Sequence, residues 1–260
     1  MPKVRVNGVR LYYEEHGQGE PILCIHGTSS SATVWRTAAI HELSELGRVI
    51  VYDRRGCTRS ERPEPYETSV VQHAEDAAAL IRALDAAPAV VIGRSYGGET
   101  AIELALHDPG LVRALVLLEA AALTLDAEAM AWGDALRHKV EEANARDPGS
   151  VAETFLREVL GDEAWEAFPP RTRQMFVDNG PAIVSEFRGP WLEANASDLG
   201  RISVPTLLVA GTDSPEPFRR VTERMAAAIP GSRTEFVGGG HFIDPGEPSV
   251  LGFVRSVLAG

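Results

Sequence analysis

The chain has 260 residues and a formal net charge of −12, from 37 acidic side chains against 25 lysines and arginines. This length suits one α/β domain with an inserted subdomain, and the acidic balance argues against a nucleic-acid partner. Two cysteines do not make a disulfide framework, and Cys24 lies in an apolar run that predicts a buried side chain. No apolar stretch approaches the ~20 residues that cross a bilayer, and the N-terminus has no signal-peptide core. We therefore expect a cytoplasmic chain with no membrane partner.

Alternating strand and helix patterns run through the first half of the chain. An Asn-Gly turn within residues 3–15 predicts a β-hairpin. The continuous apolar runs that follow predict buried strands between helices, and hence a mostly parallel sheet covered on both faces. In chain order we expect strands at 21–25, 48–52, 89–93 and 113–119, and helices at 35–45, 70–86 and 96–107.

The alternation stops between residues 120 and 201 and then resumes. We interpret residues 121–200 as a helical cap inserted into a core domain of residues 1–120 and 201–260. The core is completed by strands at 205–211 and 233–238 and helices at 218–228 and 249–258. The aromatic residues of the insertion make an apolar pocket plausible. Candidates for its lining are Trp132, Met175, Phe187 and Trp191.

A lone serine follows the strand at 89–93, where glycines allow the chain to bend most sharply. Gly93 stands two residues before Ser95, Gly97 stands two residues after it, and a helical pattern begins at Tyr96. This strand–turn–helix context is the one that the G-x-S-x-G nucleophile elbow requires. The elbow lifts the serine hydroxyl clear of its own backbone and points a helix N-terminus at the site. The motif predicts a nucleophile at the edge of the sheet where ligands gather.

The motif resembles the α/β-hydrolase superfamily, and the resemblance covers essentially the whole chain. It implies an eight-stranded type of sheet and a catalytic base on the loop after the last strand, a position that His241 matches. His26 matches the family's structural histidine in a His-Gly loop. That match makes the backbone N–H of Thr28 the second oxyanion donor, beside the N–H of Tyr96. We expect surface or capping roles for the other histidines: His16, His41, His73, His107 and His138.

Two carboxylates at strand ends compete to orient His241. Most family members place this acid after the strand that Asp213 follows. In their usual motif the aspartate stands three residues after a glycine, whereas here Asp213 stands two residues after Gly211 and Ser214 occupies the third position. The haloalkane dehalogenases and the zearalenone-type lactone hydrolases place the acid where Glu119 stands. Glu119 follows four apolar residues, and an unpaired buried carboxylate is costly unless a partner such as histidine compensates it. The sequence therefore favours Glu119, with Asp213 as the alternative.

Arginines near the predicted site have different interpretations. Residues 53–60 resemble a family loop that braces the sheet, although Thr58 replaces a glycine, so Arg54 and Arg55 are predicted to be structural. Arg94, inside the elbow, has two alternatives that the sequence leaves open: a pair with a nearby acid, or a contact with the substrate.

These residues predict a serine hydrolase that cleaves a carboxylic ester or lactone of a hydrophobic small molecule through an acyl-enzyme. No zinc spacing, phosphate loop or dinucleotide fingerprint is present in the sequence, so we expect no metal and no cofactor. Amide, thioester or C–C bond hydrolysis and perhydrolysis stay open on the same residues. So do a hydrolase-like ligand-binding protein and a natural-product cyclase or lyase. We expect a monomer or a homodimer.

Overall fold

The computed structural model describes residues 2–37 and 40–260, without the side chains of residues 36 and 37. Its strands are β1 (Lys3–Val6), β2 (Val9–His16), β3 (Pro21–Ile25), β4 (Arg48–Tyr52), β5 (Ala89–Arg94), β6 (Val112–Leu118), β7 (Thr206–Gly211) and β8 (Arg233–Val237). Within these residues the strands form one eight-stranded sheet in the order β1-β2-β4-β3-β5-β6-β7-β8. Strand β2 pairs antiparallel with β1 and β4, and every later neighbour pairs in parallel. The predicted hairpin and mostly parallel sheet are confirmed.

Helices flank the sheet and occupy the long segment between β6 and β7. They are α1 (Ile40–Ser44), α2 (Val70–Ala83), α3 (Tyr96–His107), α4 (Ala127–Arg146), α5 (Val151–Leu160), α6 (Asp162–Ala167), α7 (Pro170–Asp178), α8 (Gly180–Arg188), α9 (Ala196–Leu199), α10 (Glu216–Ala228) and α11 (Pro248–Leu258). In place of the helix predicted over 35–45, the chain has a 3-10 turn at Ala32–Thr37 and α1, and residues 38 and 39 lie outside the described residues. Within the described part of the chain, no helix is both long enough and apolar enough to cross a bilayer.

Both faces of the sheet are buried at its central strands, β3 to β7, which explains why these strands are largely apolar. Along β3, Leu23 and Ile25 pack in the cluster that includes α2 and α3, whereas Ile22 and Cys24 pack in the cluster that includes α1 and α11. Burial raises the pKa of the Cys24 thiol to about 12, so this residue is a small core side chain, as predicted.

Helices α4 to α9 lie between β6 and β7, and most of them share a core of their own. Leu136, Val140, Phe155 and Phe187 belong to this cluster, which also includes Phe218 of α10. The insertion is therefore held to the rest of the chain through α10. The division into core and cap at residues 120/121 and 200/201 stays a prediction.

Asp126 fastens the beginning of the insertion to α10. It is the N-cap of α4, and its carboxylate accepts from the N–H groups of Glu128 (3.1 Å) and Ala129 (3.2 Å). The same carboxylate pairs with Arg220 at 2.9 Å and with Arg224 at 3.0 Å. These hydrogen bonds, above all those from Arg220, hold the pKa of Asp126 well below its usual range. One side chain thus caps a helix of the insertion and docks it.

Replacing Asp126 should loosen this attachment. Asp126→Ala removes both the cap and the ion pairs, and we expect the free energy of unfolding to fall by about 1–2 kcal/mol. Asp126→Asn keeps a cap acceptor and should lose less. The lowered pKa means that the ionic contribution is present above about pH 4 and is lost as the pH falls further. Denaturant unfolding at neutral and at acidic pH measures this. Wild-type stability in Asp126→Asn at neutral pH would contradict the docking role, because this variant keeps the cap and loses the ion pairs.

Candidate active site

Ser95 occupies a strained position between β5 and α3. Its backbone angles are φ 52° and ψ −121°, in a region that side-chain-bearing residues rarely adopt. A Cβ atom on Gly93 would lie 2.4 Å from the Gly97 carbonyl oxygen, and one on Gly97 would lie 2.2 Å from the Ile25 carbonyl oxygen. Both glycines are therefore required for the chain to turn this tightly. The turn holds Ser95 at the C-terminal edge of the sheet.

Glu119 follows β6 directly and is fully buried, with a backbone φ of 47°. Its Oε1 accepts a hydrogen bond from the Gly211 N–H at 2.6 Å, and its Oε2 accepts one from the Ser214 hydroxyl. The Nδ1 atom of His241 lies 2.6 Å from the same Oε2. Because a carboxylate only accepts, Nδ1 carries the proton and Nε2 is left as the basic nitrogen.

Asp213, the alternative acid, lies elsewhere. It is exposed, and its backbone N–H donates to the Gly239 carbonyl at 2.9 Å. The hydrogen bond described for its carboxylate comes from the adjacent Thr212 hydroxyl at 3.4 Å. Among the side chains that the structure describes, the carboxylate in contact with His241 is therefore Glu119. Ser214, which occupies the expected place of the acid in the sequence, instead donates to Glu119.

His241 and Ser95 face one cavity. The ring of His241 is 6% exposed and stacks on Phe218, with the ring centroids 3.8 Å apart. A cavity of about 40 Å³ is lined by Ser95, His241 and Thr28, among others. A second cavity of about 40 Å³ also reaches Ser95 and Thr28 and extends to Tyr96. The four residues that the sequence singled out as nucleophile, base and oxyanion donors thus lie around two adjoining spaces.

The loop that carries Thr28 is held from both sides. His26 accepts from the Arg54 N–H through Nε2 at 2.9 Å, and its Nδ1 lies 2.8 Å from the Gly27 carbonyl. Burial, followed by the charge of Arg54, keeps the pKa of His26 well below its usual range. From the insertion, Asn179 donates to the Ser30 carbonyl at 3.0 Å. The buried His26, whose neutral form is favoured, and the side-chain amide of Asn179 therefore fix the loop.

Arg94 supports the loop of His241, a role that the sequence did not suggest. Its side chain is buried between the rings of Trp35 and Phe242, at 4.7 and 4.3 Å from their centroids, and donates to the Ile243 carbonyl. Burial lowers the pKa of this guanidinium to about 10. Among the described residues, no carboxylate forms an ion pair with it.

The structure places three of the four residues predicted to line the pocket on the second cavity. Trp132, Phe187 and Trp191 line the second cavity. Met175 lines neither cavity, because α7 turns it toward the loop after β3, where its sulfur accepts from the Ser31 hydroxyl at 3.1 Å.

The sequence did not predict the buried polar cluster that lies beside the second cavity. Arg54 is fully buried and pairs with Glu186 of α8 at 2.7 Å. Its Nη1 lies 3.2 Å from Nε2 of His73, so the surface or capping role predicted for His73 is wrong: this histidine is 1% exposed. Glu99 is also buried, one helical turn after Ser95. The available signal was an acid at i+4 from the serine, in the first turn of the helix that follows it.

Of the four titratable side chains in this cluster, Glu99 and His73 favour their neutral forms, whereas Arg54 and Glu186 form an ion pair. Burial, and then the nearby charge of Glu186, raise the pKa of Glu99 well above its usual range, so its neutral form is favoured. Burial and the charge of Arg54 lower the pKa of His73, which favours its neutral form too. The cluster therefore holds one ion pair, Arg54 with Glu186, beside a protonated carboxyl group. Among the described residues, no group of three or more His, Cys, Asp or Glu side chains is arranged to hold a metal ion.

Comparisons with known proteins agree with this architecture. A sequence family described as the alpha/beta hydrolase fold matches residues 20–244. The 2-hydroxymuconate semialdehyde hydrolase of Pseudomonas sp. (strain CF600) is 33% identical over 199 residues, which cover 73% of this chain and 68% of the relative.

Two solved structures extend the similarity over the full chain. A thermophilic esterase from Thermogutta terrifontis is 27% identical with a TM-score of 0.81, covering 100% of this chain and 98% of that one. An N-acyl homoserine lactone degrading enzyme is 25% identical with a TM-score of 0.74, covering 100% of this chain and 99% of that one. With its eight-stranded sheet, its serine elbow and a family match over most of its length, the chain belongs to the alpha/beta hydrolase fold family.

Proposed function

We propose that the protein is a serine hydrolase that cleaves a carboxylic ester or lactone of a largely apolar small molecule through an acyl-enzyme. The observation that carries this proposal is the 2.6 Å contact between His241 Nδ1 and Glu119, in a histidine that lines the same cavity as Ser95. In the neutral imidazole this contact places the proton on Nδ1, so that Nε2 can act as a base toward the serine hydroxyl. Esterase and lactone-degrading structures among the similar proteins support the same choice of substrate.

In the first half of this reaction, the Ser95 oxygen attacks the carbonyl carbon while His241 Nε2 takes the hydroxyl proton. The carbonyl π electrons move to the oxygen, and the N–H groups of Thr28 and Tyr96 hold that oxyanion. Tyr96 is the first residue of α3, where helix N–H groups lack intrahelical partners. Glu119 stabilises the imidazolium that His241 becomes.

The second half releases the two products. The tetrahedral intermediate collapses, the bond to the leaving oxygen breaks, and His241 gives its proton to that oxygen. A water molecule then attacks the acyl-enzyme, with His241 taking its proton and returning it to Ser95 Oγ as the acid leaves.

The walls of the second cavity favour a neutral substrate. They combine aromatic side chains such as Trp132 and Phe187 with the carboxyl groups of Glu99 and Glu186. A charged group would lose its water shell in this cavity, where Glu186 is already paired with Arg54 and offers no unpaired opposite charge. A neutral ester or lactone avoids this cost, and the esterase and lactone-degrading structures among the similar proteins favour these bonds over the others that the fold can cleave.

Removing the nucleophile should abolish turnover. We expect Ser95→Ala to lower kcat for a short p-nitrophenyl ester by about 10⁴-fold or more, because no other hydroxyl takes its place. An aryl phosphonate should label the wild-type protein at Ser95, as mass spectrometry of the digest would show. Circular dichroism and the Tm serve as folding controls. Labelling at another residue, or full activity in the variant, would refute the mechanism.

The two candidate acids can be separated by a matched pair of substitutions. Glu119→Gln removes the charge that stabilises the imidazolium, and we expect kcat to fall by about 10³-fold to 10⁴-fold. Asp213→Asn makes the same change on the exposed neighbour and should leave kcat within about threefold, as a surface substitution does. Steady-state kinetics of both variants decide the assignment. The opposite order of effects would transfer the role to Asp213.

A further inference from the structure

Four of the described side chains that line the second cavity have polar atoms without a hydrogen-bond partner: the indole Nε1 of Trp191, and one atom in each of three nearly fully buried side chains. Among the described residues, no hydrogen bond reaches Glu99 Oε1, Glu186 Oε2 or the Tyr96 hydroxyl. These side chains are 1%, 3% and 7% exposed, and all three residues line the cavity together with Ser95. Buried polar atoms in native proteins almost always find partners. Three unpaired groups around one space therefore indicate that something else pairs with them.

The cluster is held rigidly enough to select that partner. Glu99 is fixed on α3 one turn from Ser95, and Tyr96 is fixed on the same helix. Glu186 is anchored through its other oxygen, Oε1, to Arg54 at 2.7 Å. The guanidinium of Arg54 also lies over the Tyr96 ring, 4.8 Å from its centroid. The free atoms of Glu186 and Tyr96 thus belong to side chains whose positions are set by other contacts, and Glu99 is carried by the same helix as Tyr96.

The charges of the cluster favour an uncharged partner. Glu186 is already neutralised by Arg54, and Glu99 is held in its protonated form by burial and by Glu186. Because Arg54 and Glu186 already pair with each other, an anion or a cation would lose its water shell here without gaining an unpaired opposite charge. A group that both donates and accepts suits a protonated carboxyl group beside a carboxylate oxygen.

The position of His241 indicates which part of the substrate occupies each of the two cavities. In the proposed reaction His241 protonates the leaving oxygen, so the leaving group lies in the cavity that His241 lines. The acyl chain then extends from Ser95 into the other cavity, toward Glu99.

We propose that Glu99 and Glu186 form a polar subsite that selects an uncharged hydroxyl or amide group at the far end of the substrate's acyl chain. The assignment to the acyl chain rests on the proposed function, whereas the polar selectivity of the cavity does not. The substrate class becomes esters of hydroxylated or amidated acyl chains, rather than purely hydrocarbon ones.

Matched esters test this selectivity in the wild-type protein. The first pair is p-nitrophenyl 6-hydroxyhexanoate and p-nitrophenyl heptanoate, in which a methyl group replaces the hydroxyl; longer pairs up to 8-hydroxyoctanoate and nonanoate cover the depth of the cavity. We expect kcat/KM to favour the hydroxylated ester by about tenfold or more in at least one pair. No preference in any pair would overturn the proposal. So would a preference for the 6-aminohexanoate ester, whose terminal group is a cation, over the hydroxylated one.

Variants of Glu99 assign the preference to the subsite. Glu99→Leu should abolish it, whereas Glu99→Gln, which keeps a donor and an acceptor, should retain it within about threefold. Glu103→Leu, one turn further along α3 and outside the cavity lining, is the matched control and should leave the preference unchanged. A preference that survives in Glu99→Leu would contradict the role of this residue.

A binding measurement separates the subsite from the chemistry. Ser95→Ala is titrated calorimetrically with 6-hydroxyhexanamide and with heptanamide, neither of which the variant turns over. Tighter binding of the hydroxylated amide, by about tenfold, supports the subsite even if the wild-type protein hydrolyses no ester at all. Equal affinities would remove the subsite, whatever the outcome for the hydrolase mechanism.

The neutral state of Glu99 predicts a dependence of stability on pH. The charged groups that face it are Glu186 and Arg54, which neutralise each other, and Tyr96 and His73 near them favour their neutral forms. When folding raises the pKa of a carboxyl group, the protein loses stability as the pH rises from the ordinary pKa of that group, about 4.5, toward the raised pKa. Glu99→Gln has no such loss, so its Tm should gain on the wild type over the interval above about pH 5. A constant difference over this interval would show that Glu99 is ionised throughout.

Discussion

A carboxylate that is buried completely must be paired, and the pairing of Glu119 determines the geometry around it. Its two oxygens accept from the Gly211 N–H at the end of β7, from Ser214 in the following loop, and from His241 after β8. The acid at the end of β6 is thus tied to the two strands beyond it. Because leaving such a group unpaired costs several kcal/mol, the same interactions that make its burial tolerable also orient the imidazole toward the cavity of Ser95.

The insertion completes the site on the opposite side. Helix α8 contributes Glu186, which reaches Arg54 in the loop after β4, and Asn179 before it holds the loop of Thr28. Aromatic side chains of the insertion supply most of the apolar wall. The site is therefore shaped by two unlike surfaces, a rigid sheet edge that carries the reacting groups and a helical layer that sets which molecule fits between them.

Sequence patterns predict the sheet well because buried parallel strands are apolar throughout, and the strand boundaries agree within one or two residues. The sequence predicts the serine elbow equally well, since only glycine fits at Gly93 and Gly97. The choice between Glu119 and Asp213 was harder, because both follow strands and only the pairing of β6 with β7 shows that the first faces inward. Glu186 could not be assigned and His73 was assigned wrongly: their contacts depend on Arg54, which lies far from Glu186 in the sequence and meets it only when the insertion folds over the sheet.

The claim on which this account depends is the hydrogen bond from His241 Nδ1 to Glu119. Proton NMR of the protein labelled with ¹⁵N-histidine would measure it directly, since a proton held between an imidazole and a buried carboxylate resonates far downfield and exchanges slowly with water. The account predicts this resonance in the wild type and in Asp213→Asn, and its loss or a large upfield shift in Glu119→Gln. An unchanged resonance in Glu119→Gln would contradict it.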